Sequence, residues 1–160
     1  MATAPLATSL HEHCRGIAER ARRAAIDLAG ISSARKAAAL RGAAAAIRAD
    51  ARDILAANAR DVEAAPSFGL APAAVDRLLL DARRVEGIAA GVEAVAALPD
   101  PVGEVIEESI RPSGLKVRKI RVPLGVVFFV YESRPNVTAD AAAVAVASGN
   151  AIILRGGEEA

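Results

Sequence analysis

The sequence predicts an α/β protein in which N-terminal helices and a β-hairpin come before a parallel strand–helix–strand unit. Val126 to Tyr131 is a run of β-branched and aromatic residues without polar alternation, as a strand covered on both faces requires. A helix of small residues follows, Gly149 suits the position just after its end, and Ala151 to Leu154 is a second apolar strand. We therefore expect residues 123–160 to form a right-handed βαβ unit.

The connection between these strands is predicted to be stiff. Pro135 fixes its own backbone and pushes Arg134 toward an extended conformation, so the chain turns out of the strand within 132–136. Thr138 and Asp140 offer a capping hydroxyl and an acid suited to a helix start. Four small residues then recur at helical spacing: Ala141, Val144, Ala145 and Ser148.

Residues 1–103 are predicted to be helical. One helix is expected from Leu6 to Ala29 with Gly30 as its stop, and a second from Ser32 or Ser33 to about Asn58. Turn and capping residues divide the remainder of this half: Pro66 and Gly69 break the chain, Pro72 begins a helix, Asp81 caps a further one, and Pro99-Asp100-Pro101 ends the series.

Residues 104–122 are predicted to form a β-hairpin around the turn Pro112-Ser113-Gly114. The apolar phase of the second strand shifts between Val117 and Ile120. Such a shift indicates a bulge, or a strand that leaves one sheet for another surface.

Composition excludes several function classes. The net charge is +1 and aromatic residues make up 2% of the chain, so we expect no nucleic-acid partner. No apolar run approaches the roughly 18 residues of a membrane span. The acids Glu12, Glu19 and Asp27 are unlike an organellar transit helix, which leaves the cytoplasm as the expected location.

Cys14 is the only cysteine, so an internal disulfide is impossible, which fits a reducing compartment. His11 and Cys14 share a helical face, but two further metal ligands are missing. We expect no metal and no chemistry at Cys14.

Arg155-Gly156-Gly157 follows the second strand of the βαβ unit. Ligands bind at that edge of an open parallel sheet, and a glycine pair lets the backbone approach a cofactor, or forms a plain turn. This pattern alone does not separate a cofactor fold from any other βαβ unit.

Several ordered motifs resemble the gamma-glutamyl phosphate reductase family, within the aldehyde dehydrogenase superfamily. They are Asp76-Arg77-Leu78, Leu98-Pro99-Asp100-Pro101-Val102-Gly103, Arg111-Pro112-Ser113-Gly114-Leu115, Pro123-Leu124-Gly125-Val126, Tyr131-Glu132-Ser133-Arg134-Pro135-Asn136-Val137-Thr138, Ser148-Gly149-Asn150-Ala151 and Leu154-Arg155-Gly156-Gly157.

The resemblance implies a truncated Rossmann-like sheet of the aldehyde dehydrogenase type, with this chain as the N-terminal portion and the catalytic domain absent. It also implies reduction of L-glutamyl 5-phosphate by NADPH to L-glutamate 5-semialdehyde, a step of proline biosynthesis. The nucleophile in that family is a cysteine of the later domain, so we expect this chain alone to be inactive.

The resemblance implies roles for particular residues. Asn136 would stabilise an oxyanion, whereas locally it reads as a cap or turn residue. Arg155 would contact the cofactor's adenosine ribose or its 2′-phosphate, and its alternative is a solvated strand end. Ser133 and Arg134 would face the cofactor, and Glu159 would reach a ribose hydroxyl.

Two other functions stay open at this point. The chain is a non-catalytic module that binds nucleotide or pairs with a full-length subunit, or it belongs to an aldehyde-oxidising relative with another substrate. In the superfamily a long hairpin reaches a neighbouring subunit, so a homo-oligomer through 104–122 is expected of the intact protein.

Overall fold

A computed structural model of the chain describes residues 9–132 and 134–157. Within these ranges, helices fill the first half, an antiparallel hairpin follows, and two parallel strands flank the last helix. In chain order the elements are α1 (Leu10–Ala29), α2 (Ser33–Ala49), α3 (Ala51–Ala64), a 3₁₀ turn (Ala65–Phe68), α4 (Pro72–Leu78), α5 (Ala82–Ala96), β1 (Val105–Ile110), β2 (Lys116–Ile120), β3 (Val126–Val130), α6 (Pro135–Ala147) and β4 (Ala151–Arg155).

Helix α1 begins with a capping box at Ser9. Ser9 Oγ accepts from the Glu12 backbone N–H at 3.2 Å, and Glu12 Oε2 accepts from the Ser9 N–H at 2.9 Å. This reciprocal cap starts the described helix at Leu10, and Leu6, where the sequence predicts the start, lies outside the described residues. The end at Gly30 is confirmed. Helix α1 packs against β3 and β4.

The predicted second helix is two helices, α2 and α3, separated at Asp50. Its φ of −92° and ψ of 9° lie outside the helical region, and a short acid of this kind favours helix ends over interiors. Helix α3 runs past Asn58 to Ala64, so the predicted end at about Asn58 was wrong. The Asn58 side chain is buried: Nδ2 donates to the Leu78 carbonyl at 2.9 Å, and Oδ1 accepts from the Leu80 N–H at 2.7 Å. Asn58 thereby fixes the connection between α4 and α5.

The turn and cap residues of the next segment lie where the sequence predicts. Gly69 has φ of 66° after the 3₁₀ turn, and α4 starts at Pro72. Asp81 Oδ1 accepts from the Arg84 N–H at 2.6 Å and caps α5.

A small core joins α2, α5 and α6, and alanines let these helices approach closely. Ala143 of α6 is 2% exposed, whereas Val144 is 58% exposed, so the buried face of α6 includes Ala143 and not Val144. Helix α6 is apolar on nearly every side, so spacing could not identify the buried face. The buried core residues are Leu40, Ala44, Ala89, Val92, Ala96 and Ala143.

A buried lysine ties this core to the turn that ends the helical half. Lys36 Nζ donates to Asp100 Oδ2 at 2.6 Å and to the Ala147 carbonyl at 3.1 Å. Asp100 Oδ1 in turn accepts from the Val102 N–H at 3.0 Å. Partial burial acts to raise the pKa of Asp100, but the hydrogen bonds from Lys36 and Val102 and the lysine charge outweigh it and lower that pKa.

The strands form two separate pairs. β1 and β2 are antiparallel, and their register shifts between Val105 and Glu107. The extra residue lies on β1, so the bulge predicted on the second strand between Val117 and Ile120 was wrong in its position. β3 and β4 are parallel, with Val126 opposite Ala151 and Val130 opposite Arg155. Among the residues described, no helix combines the length and apolarity that crossing a bilayer needs.

Candidate functional site

A cleft of about 420 Å³ opens where the start of α6 faces α4 and α5. Its lining includes Arg77, Arg84, Gly87, Asn136 and Asp140. The volume lies within the range of small-molecule sites, which hold a few placed polar groups in an otherwise apolar wall.

Pro135 sets the position of Asn136 in this cleft. Proline lacks an N–H and has a helix-compatible φ, so α6 begins at Pro135 with Arg134 as its cap residue. The prediction that Thr138 caps this helix was therefore wrong. Its Oγ1 lies 2.5 Å from Tyr131 Oη instead. Asn136 lies inside the first turn of α6, so its local alternative as a cap residue was also wrong.

Asn136 and Asp140 form a hydrogen-bonded pair one helical turn apart. Asn136 Nδ2 donates to Asp140 Oδ2 at 2.9 Å. A carboxylate accepts only, so this bond fixes which end of the amide carries the donors. The amide nitrogen has two hydrogens, and the second stays available to a ligand in the cleft.

Arg84 holds the wall of the cleft opposite α6. Its guanidinium donates to backbone carbonyls at the α4–α5 turn and lies 3.2 Å from Asp76 Oδ1. The opposite charges of Arg84 and Asp76 therefore neutralise each other. The other charged groups of the lining are Arg77, Arg134 and Asp140, and Arg134 makes a loose ion pair of 3.9 Å with a neighbouring glutamate.

The carboxyl edge of the parallel sheet is separate from the cleft lining. Arg155 ends β4, is exposed, and donates through Nη1 to the Gly156 carbonyl. A Cβ on Gly156 would lie 3.3 Å from both Cζ and Oη of Tyr131. The Tyr131 ring thus occupies the space that a side chain at position 156 would need. The same ring packs on Phe129, with ring centroids 5.9 Å apart.

The predicted site residues fall into two groups. Arg134 and Asn136 line the cleft together, whereas Arg155, Gly156 and Gly157 follow β4 at the sheet edge and do not line it. Their assignments to cofactor or catalysis stay predictions. Two further predicted cofactor residues, Ser133 and Glu159, lie outside the described residues.

Sequence reasoning did not assign Asp140 and Arg77 to the site. The sequence pattern indicates Asp140 only as a helix-start acid, although its spacing of four from Asn136 is a signal that the two side chains meet. Arg77 appeared only within a family motif. Cys14 is exposed on α1, and within 9–132 and 134–157 no three His, Cys, Asp or Glu side chains gather as a metal site.

The fold and the cleft define an α/β protein with a parallel βαβ unit and a polar cleft at the start of its crossover helix. No protein-family model matches the chain. A gamma-glutamyl phosphate reductase from Rhizorhabdus wittichii is 63% identical over 141 residues, which are 88% of this chain and 33% of that protein. One from Xanthomonas oryzae pv. oryzae is 56% identical over 144 residues, covering 90% and 35%.

Solved structures agree with these relatives. The crystal structure of gamma-glutamyl phosphate reductase from Thermotoga maritima matches with a TM-score of 0.85 and 39% identity over 91% of this chain and 35% of that one. The structure from Saccharomyces cerevisiae matches with a TM-score of 0.86 and 36% identity over 96% and 38%. The chain is similar to gamma-glutamyl phosphate reductases and spans about a third of the length of the relatives it matches, which confirms the predicted resemblance and fold class.

Proposed function

We propose that this chain forms part of an enzyme of the aldehyde dehydrogenase superfamily that reduces L-glutamyl 5-phosphate to L-glutamate 5-semialdehyde and releases phosphate, in cytoplasmic proline biosynthesis. The names of its relatives support this proposal. The structural observation that carries it is the placement of Asn136 in a polar cleft at the start of α6. Because the chain spans a third of its relatives, the remaining groups, the nucleophilic cysteine among them, belong to the rest of such an enzyme.

The role we propose for Asn136 is to stabilise negative charge on the acyl oxygen. Attack of a thiolate on the acyl carbon expels phosphate and leaves a thioester, and reduction of the thioester gives the aldehyde and regenerates the thiolate. Both steps place an electron pair on the same oxygen. An amide N–H already held in position by Asp140 can lower the barrier by roughly 3 kcal/mol.

The cofactor we propose is NADPH, which supplies the hydride. Arg155 would hold its ribose 2′-phosphate, with Gly156 and Gly157 beside it at the sheet edge. Arg134 would face the cofactor from the cleft, and Ser133 and Glu159 carry the same proposal from the resemblance. The positive charge of Arg155 suits the negative charge of this phosphate. The Arg155 guanidinium is exposed, and its described partner is a neutral carbonyl.

Substitution of Arg155 by alanine should weaken NADPH binding by about tenfold, because a charge-assisted hydrogen bond to phosphate is lost. NADH, which lacks the 2′-phosphate, should bind both forms equally. Fluorescence titration of the chain with each nucleotide measures this. Arg60→Ala, at an exposed position of α3, is the matched control. Equal weakening for NADH would contradict the assignment.

We propose that the 104–122 hairpin contacts a second copy of the intact protein. Every residue of β2 is exposed, and the apolar Ile110 and Leu115 beside the turn are 72% and 63% exposed. Burying them against a partner would remove apolar surface from water. Ile110→Glu in the intact protein should therefore weaken the contact between copies and lower the particle mass measured by light scattering. An unchanged mass would exclude this contact.

Growth without proline tests the proposed function. A chimera carries residues 9–157 of this chain in place of the matching segment of the Rhizorhabdus wittichii reductase. In a bacterium that lacks its own reductase, we expect the chimera to restore growth and the 160-residue chain alone to fail. A folded chimera that fails would favour the nucleotide-binding or subunit-pairing module.

A further inference from the structure

We propose that the cleft between α4, α5 and α6 binds the amino-acid end of the acyl phosphate, with Asp140 accepting from its α-ammonium group and Arg77 pairing with its α-carboxylate. This inference rests on the proposed function and adds to it the residues that recognise the substrate. Arg77 belongs to neither the oxyanion nor the cofactor group above, and Asp140 enters the oxyanion group only by holding the Asn136 amide.

The charges left over in the cleft suit a zwitterion. Arg84 and Asp76 neutralise each other across 3.2 Å and are occupied in holding the α4–α5 turn. Arg77 has no ion pair and no side-chain hydrogen bond within the described part of the chain. Asp140 Oδ2 receives the amide of Asn136, and Oδ1 has no donor among the described residues. Arg134 also lines the cleft but is loosely paired with Glu132 at 3.9 Å. Among the described residues, Arg77 and Asp140 are therefore the cation and the anion of the lining that have no ion partner.

The reach of the two side chains accommodates the length of the substrate. Asn136 Nδ2 lies 2.9 Å from Asp140 Oδ2. With a hydrogen bond of about 2.9 Å at each end, the two side chains can hold groups up to roughly 8 Å apart. In a glutamyl group, four bonds join the acyl carbon to the α-nitrogen, a span of about 5 Å when extended. An acyl oxygen held by Asn136 thus leaves the ammonium group within reach of Asp140.

Two glycines of α5 leave room beside Asp140. A Cβ on Gly87, which lines the cleft, would meet no atom within 4 Å. A Cβ on Gly91, one turn further, would lie 3.6 Å from Asp140 Oδ1. A large side chain at Gly87 would therefore occupy the cleft without striking the backbone.

To test this inference, the 160-residue chain is titrated with L-glutamate and, separately, with glutarate, which lacks the ammonium group. Binding of each ligand is followed by the change in amide chemical shifts. We expect L-glutamate to shift resonances of the cleft lining and to bind about tenfold more tightly than glutarate. Asp140→Asn should abolish that preference. Arg77→Gln should weaken both ligands alike, because both keep a carboxylate.

Gly87→Leu should abolish both binding events, while Gly42→Leu, at an exposed and open position of α2, should change neither. Amide resonances outside the cleft that stay unchanged show that both variants are folded. Loss of binding in Gly87→Leu but not in Gly42→Leu then shows that the ligand binds in the cleft. Absence of cleft shifts with L-glutamate, or a preference that survives Asp140→Asn, would overturn the inference.

The proposed function fails separately. If the chimera cannot restore growth but the chain still prefers L-glutamate through Asp140, the reductase proposal falls and the cleft assignment stands. If growth is restored and the preference is absent or independent of Asp140, the cleft assignment alone is overturned.

Discussion

Replacement of Asn136 by alanine is expected to lower the kcat of the chimera by roughly tenfold to a thousandfold, with the affinity for NADPH near unchanged. The side chain is exposed in the cleft and removes little packing when truncated, so the loss would come from the donor itself. Steady-state rates with varied acyl phosphate and a separate NADPH titration measure the two quantities.

Thr138→Ala is the matched control for this variant. Thr138 lies on the same turn of α6 but does not line the cleft, and its hydroxyl contacts Tyr131. Its kcat should stay close to that of the unmodified chimera. If Asn136→Ala leaves kcat unaltered, Asn136 has no oxyanion role.

Replacement of Lys36 by methionine is expected to lower the free energy of unfolding of the chain by about 3 kcal/mol at pH 7. The change removes the partner of Asp100 and the donor to the Ala147 carbonyl. The lysine side chain is 5% exposed and the Asp100 side chain 19%, so water only partly replaces the lost partner. Denaturant unfolding measures the difference.

The cost of Lys36→Met should shrink in acid. Hydrogen bonds and the lysine charge lower the folded-state pKa of Asp100, so this carboxylate contributes stability above its ordinary pKa of about 4. That contribution is lost as the pH falls through the folded-state pKa. The unfolding free energies of the parent and the variant should therefore converge below about pH 4.

Lys119→Met, at an exposed position of β2, is the control variant for the unfolding measurements at pH 7 and in acid. Surface substitutions of this kind usually change stability by less than about 0.5 kcal/mol. A Lys36→Met variant as stable as Lys119→Met at pH 7 would show that the buried pair contributes no net stability. A difference that grows in acid would contradict the sign assigned to Asp100.

The elements that local chemistry specifies were predictable. The β-branched run of β3, the glycine at φ of 75° after α6 and the caps at Pro72 and Asp81 follow from properties of single residues. The break at Asp50 was not predictable in the same way. Alanine-rich sequence on both sides favours helix, and a single aspartate is too weak a local signal to show that one helix ends there.

The candidate site could be predicted only in part. The resemblance located Asn136, and helical spacing could have added Asp140. Arg77 and the clamp formed by Arg84 come from a distant segment that folds against α6, and no local pattern connects the two. The Lys36 ion pair escaped prediction for the same reason, since a lysine in an alanine-rich helix ordinarily indicates a solvated face.

The most direct measurement is the rate of acyl-phosphate-dependent NADPH oxidation by the purified chimera, or of phosphate-dependent NADP⁺ reduction with glutamate 5-semialdehyde in reverse. We predict a rate of the same order as that of the Rhizorhabdus wittichii parent, because under the proposed function this chain supplies Asn136, the cleft and the edge proposed to bind the cofactor. A chimera that is folded and binds NADPH but shows no such rate would contradict the proposed function.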